Sequence, residues 1–158
     1  MQIASVALED RFVRLEPFEE GLKAEVKAAL DCDPASWDIM VAPAYGDHFD
    51  AWWKAALAAM QAQTRIAYAV RRRSDGAVVG TTSLYEINPA YRRCEIGSTF
   101  YRPDARGGAI NPACKRLLLG HAFDAGAVRV EIITDAVNAR SQAAILKLGP
   151  RPRACCAS

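Results

Sequence analysis

Apolar and polar residues alternate in short bursts along this chain, and stretches with helical spacing separate the bursts. Phe12 to Leu15 (FVRL) alternates, which predicts a short strand that Pro17 ends. From Glu19 to Leu30, Leu22, Val26, Ala29 and Leu30 recur at helical spacing with charges between them. That is the pattern of an amphipathic helix, and Asp33-Pro34 breaks it. Ala35 to Asp47 has no clear period and reads as a loop; its Trp37, Met40, Pro43 and Tyr45 suit either core filling or a binding surface. Asp50 to Gln63 predicts an alanine-rich helix with Trp53, Leu57 and Met60 on one stripe. Trp52 falls off that stripe, toward a loop or a partner.

The second half is richer in strand signals. Ile66 to Val70 and Val78 to Tyr85 read as a hairpin, joined by the polar turn Arg71-Arg72-Arg73-Ser74-Asp75-Gly76 with its Asp-Gly signal. Asn88-Pro89 marks another turn. Arg93 to Tyr101 alternates, placing Cys94, Ile96, Ser98 and Phe100 on one face and Glu95, Gly97, Thr99 and Tyr101 on the other. A helix follows, then a strand over Val128 to Thr134 and a last helix over Ala139 to Leu148, with Ala144, Ile145 and Leu148 toward the core. Strand, helix, strand, helix implies a right-handed crossover and a partly parallel sheet, an α/β (α+β) fold.

Composition narrows the class. The chain has 158 residues, and the net charge of +2 is too mild for general nucleic-acid binding. The three consecutive arginines read as a solvated hairpin tip, since no interleaved aromatics accompany them. No apolar run reaches membrane-spanning length, and the N-terminus lacks a signal-peptide core. The five cysteines are odd in number and lack C-x-x-C spacing, which predicts unpaired thiols, no metal site and a reduced, cytoplasmic setting.

Candidate chemistry concentrates in Tyr101 to Ala125, YRPDARGGAINPACKRLLLGHAFDA. Asn111 is a good helix N-cap and Pro112 suits the first helical position. Ahead of them, Arg102, Arg106, Gly107 and Gly108 form a basic, glycine-bearing turn. Small residues let the backbone approach a ligand, and the helix N-terminus offers free N–H groups and a positive dipole end. The segment is therefore a phosphate cradle or an ordinary capped helix after a flexible turn. A nucleotide-phosphate site is disfavoured, because GK[ST] and G-x-G-x-x-G are both absent. Cys114 is placed for mild acidification by the dipole, but no histidine lies close in sequence to make it a nucleophile. His121 reads as structural.

RGGAIN followed by KRLLLGHAF resembles the RG-x-G-x-N…K-x-LLL-x-HAF pattern of GNAT N-acetyltransferases, in their ribosomal-protein-acetylating (RimJ/RimL-like) branch. EIGSTFYRP upstream and RVEIITDAVNARSQAAILKLG downstream match the same branch in order and spacing, so the resemblance covers roughly Phe12 to Gly149. It implies a single GNAT-like domain over residues 1–149, a mixed central sheet with helices on both faces, and acetyl-CoA as cosubstrate. The pyrophosphate would lie on the loop, held by Arg102, Arg106, Gly107 and Gly108 and by the backbone of Ala109, Ile110 and Asn111. Ala109 stands where the family usually has glycine. Asn138 would hydrogen-bond the cofactor arm, and the arm would run between the strands Arg93–Tyr101 and Val128–Thr134.

Acetyl transfer then needs a base and an acid. Glu95 is the first choice for the base, beside the proposed acyl site, with Glu86 second; a plain salt bridge is the alternative for Glu95. The tyrosine that many superfamily members use as the acid corresponds to Ile145 here, and Ser141 is the substitute the branch suggests, or else a helix-start residue. The acceptor would be a primary amine, of a protein N-terminus or a small molecule. A catalytically impaired CoA-binding protein is the alternative, motivated by Ala109, Ile145 and the tail.

Residues 150–158 (PRPRACCAS) depart from the family, which continues with two more strands beginning L-G-A-x-x-x-G-V-L-R. Reading the same codons two bases later can spell that motif, so a frameshifted terminus is expected. Loss of the last two strands would expose a sheet edge suited to homodimer pairing.

Overall fold

The computed structural model describes residues 1–39 and 43–132. Its six strands are β1 (Leu8–Glu9), β2 (Val13–Pro17), β3 (Ile66–Arg72), β4 (Val78–Asn88), β5 (Arg93–Tyr101) and β6 (Arg129–Ile132). Its helices are α1 (Lys23–Asp31), α2 (Phe49–Gln61) and α3 (Ile110–Asp124). They form one mixed sheet in chain order, β1-β2-β3-β4-β5-β6. Neighbours from β1 to β5 are antiparallel, and β5 and β6, joined through α3, are parallel.

Alternation along β3 decides which helix packs where. Tyr68 and Val70 face a core that includes Leu15, Ile96, Cys114 and Leu118. Ala67 and Ala69 face the other core, with Val26 and Leu30 of α1 and Phe49 and Trp53 of α2. Helices therefore cover both faces, as expected from the sequence. The alanines are small where α2 lies, so the aromatic side chains of that helix fill the space against the sheet.

The loop expected over Ala35 to Asp47 contains two 3-10 turns, Pro34–Ile39 and Gly46–His48. Trp37 fills core there. It is 8% exposed, stacks on Phe100 with centroids 4.7 Å apart, and its indole N–H donates to the Leu30 carbonyl at 3.1 Å. Trp52 is half-buried between Phe18, Phe49 and the Arg65 guanidinium. The buried stripe of α2 is Phe49, Trp53 and Ala56, with Leu57 and Met60 only partly covered.

Two corrections concern the candidate site. First, α3 starts earlier than the Asn111 cap predicted. Ala109 is the residue before the helix, no side chain caps it, and Asn111 lies in the first turn. The Asn111 Oδ1 instead accepts a hydrogen bond from the Tyr101 hydroxyl at 2.9 Å. A buried phenol needs an acceptor, and that need outweighs the capping preference.

Second, the two faces of β5 exchange partway along the strand. Thr81 pairs with Phe100 but Ser83 pairs with Gly97, so Ser98 and Thr99 together lie opposite Thr82. Ser98 has φ +50°. This bulge moves Tyr101 onto the side of Cys94 and Ile96, and Phe100 onto the α1–α2 side. Thr99 meets α3 through Lys115, so it does not share the face of Glu95 and Gly97. Gly80 beside the bulge allows the close approach: a Cβ there would sit 2.0 Å from the Phe100 carbonyl oxygen.

Candidate functional site

The parallel ladder of β5 and β6 runs from Arg93 opposite Arg129 to Ile96 opposite Ile132. From Gly97 to Tyr101, β5 has no partner on that side among the described residues. The bulge at Ser98 falls within the same stretch and re-aims its side chains.

Beyond β5 the chain makes a 3-10 turn at Pro103–Ala105, passes Gly107 and Gly108 and enters α3. Gly107 has φ +77°, a conformation that favours glycine. A Cβ on Gly107 or Gly108 would meet nothing within 4 Å, so open space lies over the turn. The first intrahelical bond of this region runs from the Ala113 N–H to the Ala109 carbonyl, which leaves the Ile110 and Asn111 N–H groups at the open end of the helix. The cradle thus has room, N–H groups without an acceptor among the described residues, and the positive dipole end. These features fit a pyrophosphate.

The two cradle arginines are already engaged. Arg102 forms a fork with Asp104 at 2.7 and 3.0 Å. Arg106 donates to the Tyr101 carbonyl at 2.8 Å and to Asp33 at 3.1 Å, and lies 5.3 Å over the Phe100 ring. Arg106 therefore ties the segment carrying Trp37 to the end of β5. Arg106→Ala is expected to cost about 1–2 kcal/mol, read as a lower urea midpoint at unchanged slope. An unshifted midpoint would show that the tether contributes nothing.

Glu95 is half-buried on β5, directly opposite Tyr85 on β4. The Tyr85 ring lies against Gly97, where a Cβ would come within 2.6 Å of the ring and 2.8 Å of the hydroxyl. Burial, reinforced by a hydrogen bond to Glu95, pushes the Tyr85 hydroxyl up to about 12. Glu86, the second candidate base, is exposed with φ +49° at another irregularity of β4. Asn138 and Ser141 lie outside the described residues, as do Ile145 and the tail from 150 to 158.

Three residues with no signal in the sequence border this stretch of β5, Tyr85 and Arg65 on the face of Glu95 and Lys115 on the opposite face. Arg65, just before β3, donates to the hydroxyls of Ser83 and Ser98, both at 3.1 Å. Lys115 on α3 is 4% exposed, and its ammonium donates to Thr99 Oγ1 at 3.1 Å. Thr99 in turn shares a hydrogen bond with Thr82 at 2.8 Å. A buried lysine near a helix start looks from sequence like any surface lysine, so periodicity carried no signal for it.

Cys114 is a correction. Burial pushes its thiol up to about 11, against the acidification expected from the dipole. The thiol lies in the core between sheet and helix, where losing water outweighs half a dipole charge. His121 is structural, with Nε2 2.7 Å from the Ala4 carbonyl. The arginine triplet is committed to carboxylates: Arg71 to Glu16 and Glu25, Arg72 to Asp75 and Asp104, and Arg73 to Glu9. A shallow cleft of about 360 Å³ runs beside it, from Arg11 and Phe12 to Ile110. Among the described residues no group of three or more His, Cys, Asp or Glu could hold a metal ion, and no helix is long and apolar enough to cross a membrane.

Residues 13–151 match a family model described as an acetyltransferase (GNAT) domain. A crystal structure of a GCN5-related N-acetyltransferase from Brucella melitensis is similar at 26% identity and TM-score 0.83, covering 94% of this chain and 69% of that one. The microcin C7 self-immunity acetyltransferase MccE, solved with acetyl-CoA and AMP, is similar in fold at 16% identity and TM-score 0.80, with 94% and 84% covered. Mycobacterium smegmatis RimJ, solved with CoA-disulfide, is similar in fold at 20% identity and TM-score 0.74, with 90% and 71% covered. A comparison with curated proteins yields no match.

Proposed function

The chain belongs to the GNAT acetyltransferase family, and on that premise we propose that it moves an acetyl group from acetyl-CoA directly to a primary amine. The observation that carries this reading is the cradle: an uncapped α3 N-terminus behind a Gly107–Gly108 turn with open space over it, directly after the bulged strand. The pyrophosphate would be bound by the Ile110 and Asn111 N–H groups, with Gly107, Gly108 and Ala109 admitting it. Arg102 and Arg106 border that space and would add long-range attraction without leaving Asp104 and Asp33.

In the transfer, the amine nitrogen attacks the thioester carbonyl carbon, a C–N bond forms and the C–S bond breaks. A backbone N–H of β5 beyond Ile96 stabilises the oxyanion. Glu95 takes the amine proton, directly or through a water, and the CoA thiolate leaves and is reprotonated. The reading keeps Asn138 for the cofactor arm and Ser141 for that reprotonation. A protein N-terminus is the favoured acceptor, in the manner of the RimJ/RimL-like branch. An α-amine with pKa near 8 needs less help from a base than a lysine near 10.4.

Acetyl-CoA at a hundred times its dissociation constant is expected to stabilise the protein by about 2.7 kcal/mol. For a domain of this size that is a rise in Tm of about 5–10 °C. Free-thiol release with an amine present should accompany it. A thermal shift without thiol release would assign the chain to binding alone, and no shift at all would overturn the reading.

A further inference from the structure

Arg65 stands apart from the arginines around it. Those of the hairpin and the cradle meet carboxylates, whereas the Arg65 guanidinium meets two serine hydroxyls and lies 5.7 Å from the centre of the Trp52 ring. Its remaining N–H groups have no acceptor among the described residues. Among the described residues no carboxylate pairs with this partly buried charge, which is costly, and the fork geometry of arginine matches an anionic oxygen pair. One of its hydroxyl partners belongs to Ser98, the bulge residue of β5. Tyr85, which feels the charge of Arg65, is also the residue opposite Glu95, so cation, phenol and carboxylate share one region on the α2 side of the sheet.

Resting on the acetyl-transfer reading, we propose that Arg65 selects the acceptor: the amine substrate carries a carboxylate, which the Arg65 fork holds while the amino group faces Glu95. Trp52 shields the ion pair on one side, and the Ser83 and Ser98 hydroxyls fix the orientation of the fork. Discrimination follows because a neutral amide in place of the carboxylate leaves the guanidinium unneutralised.

The test uses two matched pairs of acceptors: an amino acid and its amide, and tripeptide amides differing only in aspartate or asparagine at the second position. In at least one pair, wild-type kcat/KM should favour the carboxylate member by about tenfold or more. Arg65→Gln should bring that ratio near one by lowering the value for the carboxylate member alone, with the affinity for acetyl-CoA unchanged. Arg65→Lys, which keeps the charge and loses the fork, should give an intermediate ratio, and it carries the test should the glutamine variant fail to fold. Equal loss on both members, or no preference in either pair, would overturn the proposal. If no amine is acetylated at all, the catalytic reading fails separately. Equilibrium binding of the same pairs, followed by tryptophan fluorescence, then decides the subsite: tighter binding of a carboxylate member, lost in Arg65→Gln, sustains it, and equal binding overturns it.

Discussion

Lys115→Met is expected to raise stability at pH 7 by roughly 2–3 kcal/mol, and this gain is expected to shrink as the pH climbs from about 8 to 10.5. The Lys115 ammonium is buried beside Thr99, Cys114 and the α3 core, and loss of water there pulls its pKa from 10.5 down to about 8. Below pH 8 both folded and unfolded chains hold the proton, so the folded state carries the full cost of a buried charge. Between 8 and 10.5 the unfolded chain binds more protons, and stability rises with pH. Buried thiols act in the opposite direction. Cys94 and Cys114 are pushed up to about 11 from 9, which removes stability between those values. The reading is therefore the difference between wild type and variant in urea melts at pH 7, 8, 9 and 10. A methionine retains the volume and loses only the hydrogen bond to Thr99, which keeps Thr82 as partner. A variant less stable at pH 7, or a difference that does not change with pH, would show that Lys115 is well compensated where it lies.

Glu95→Gln is expected to lower kcat by about 10²- to 10⁴-fold while acetyl-CoA binds as before. Glutamine keeps the shape and the position opposite Tyr85 but cannot take a proton from the amine. Wild-type and variant rates across the pH range give the more specific reading. As pH rises toward the pKa of the acceptor amine, more of it is already neutral, and the deficit of the variant should narrow. Unchanged turnover would remove Glu95 from the mechanism, and a uniform deficit at every pH would assign it to positioning.

Both experiments depend on side-chain placement that the sequence discloses unevenly. The bounds of β5, Arg93 to Tyr101, were legible because apolar and polar residues alternate there without a gap. What alternation could not disclose is a bulge at Ser98. One residue at positive φ flips every later side chain, and a serine there carries no glycine-like signal. Alternation alone therefore puts Thr99 beside Glu95, whereas the bulge turns it toward Lys115. The glycines of the cradle were readable as a turn. The start of α3 was not, because Asn111 satisfies both a cap rule and the hydroxyl of Tyr101, and only packing decides between them. Trp37 illustrates the same limit: its segment has no period, yet Phe100 and the Leu30 carbonyl fix it. Arg65 is a lone charge just before β3 and carries no signal in the sequence. Its meaning comes from Ser83 and Ser98, distant in sequence and neighbours only once the hairpin closes.

The order of the strands carries a consequence for how the chain acquires its parts. Because the described sheet runs β1 to β6 without a reversal, each strand adds to the edge its predecessor left. Among the antiparallel pairs only β2 and β3 enclose a long connection, the one holding α1 and α2. A ribosome releasing the chain at about 5–20 residues per second therefore exposes a sheet that can grow from one end. Arg65, Tyr85 and Glu95 come together when β5 arrives, before α3 has been made. The residues proposed to choose the acceptor thus assemble first, and the grip on the acetyl donor is added to a surface already in place.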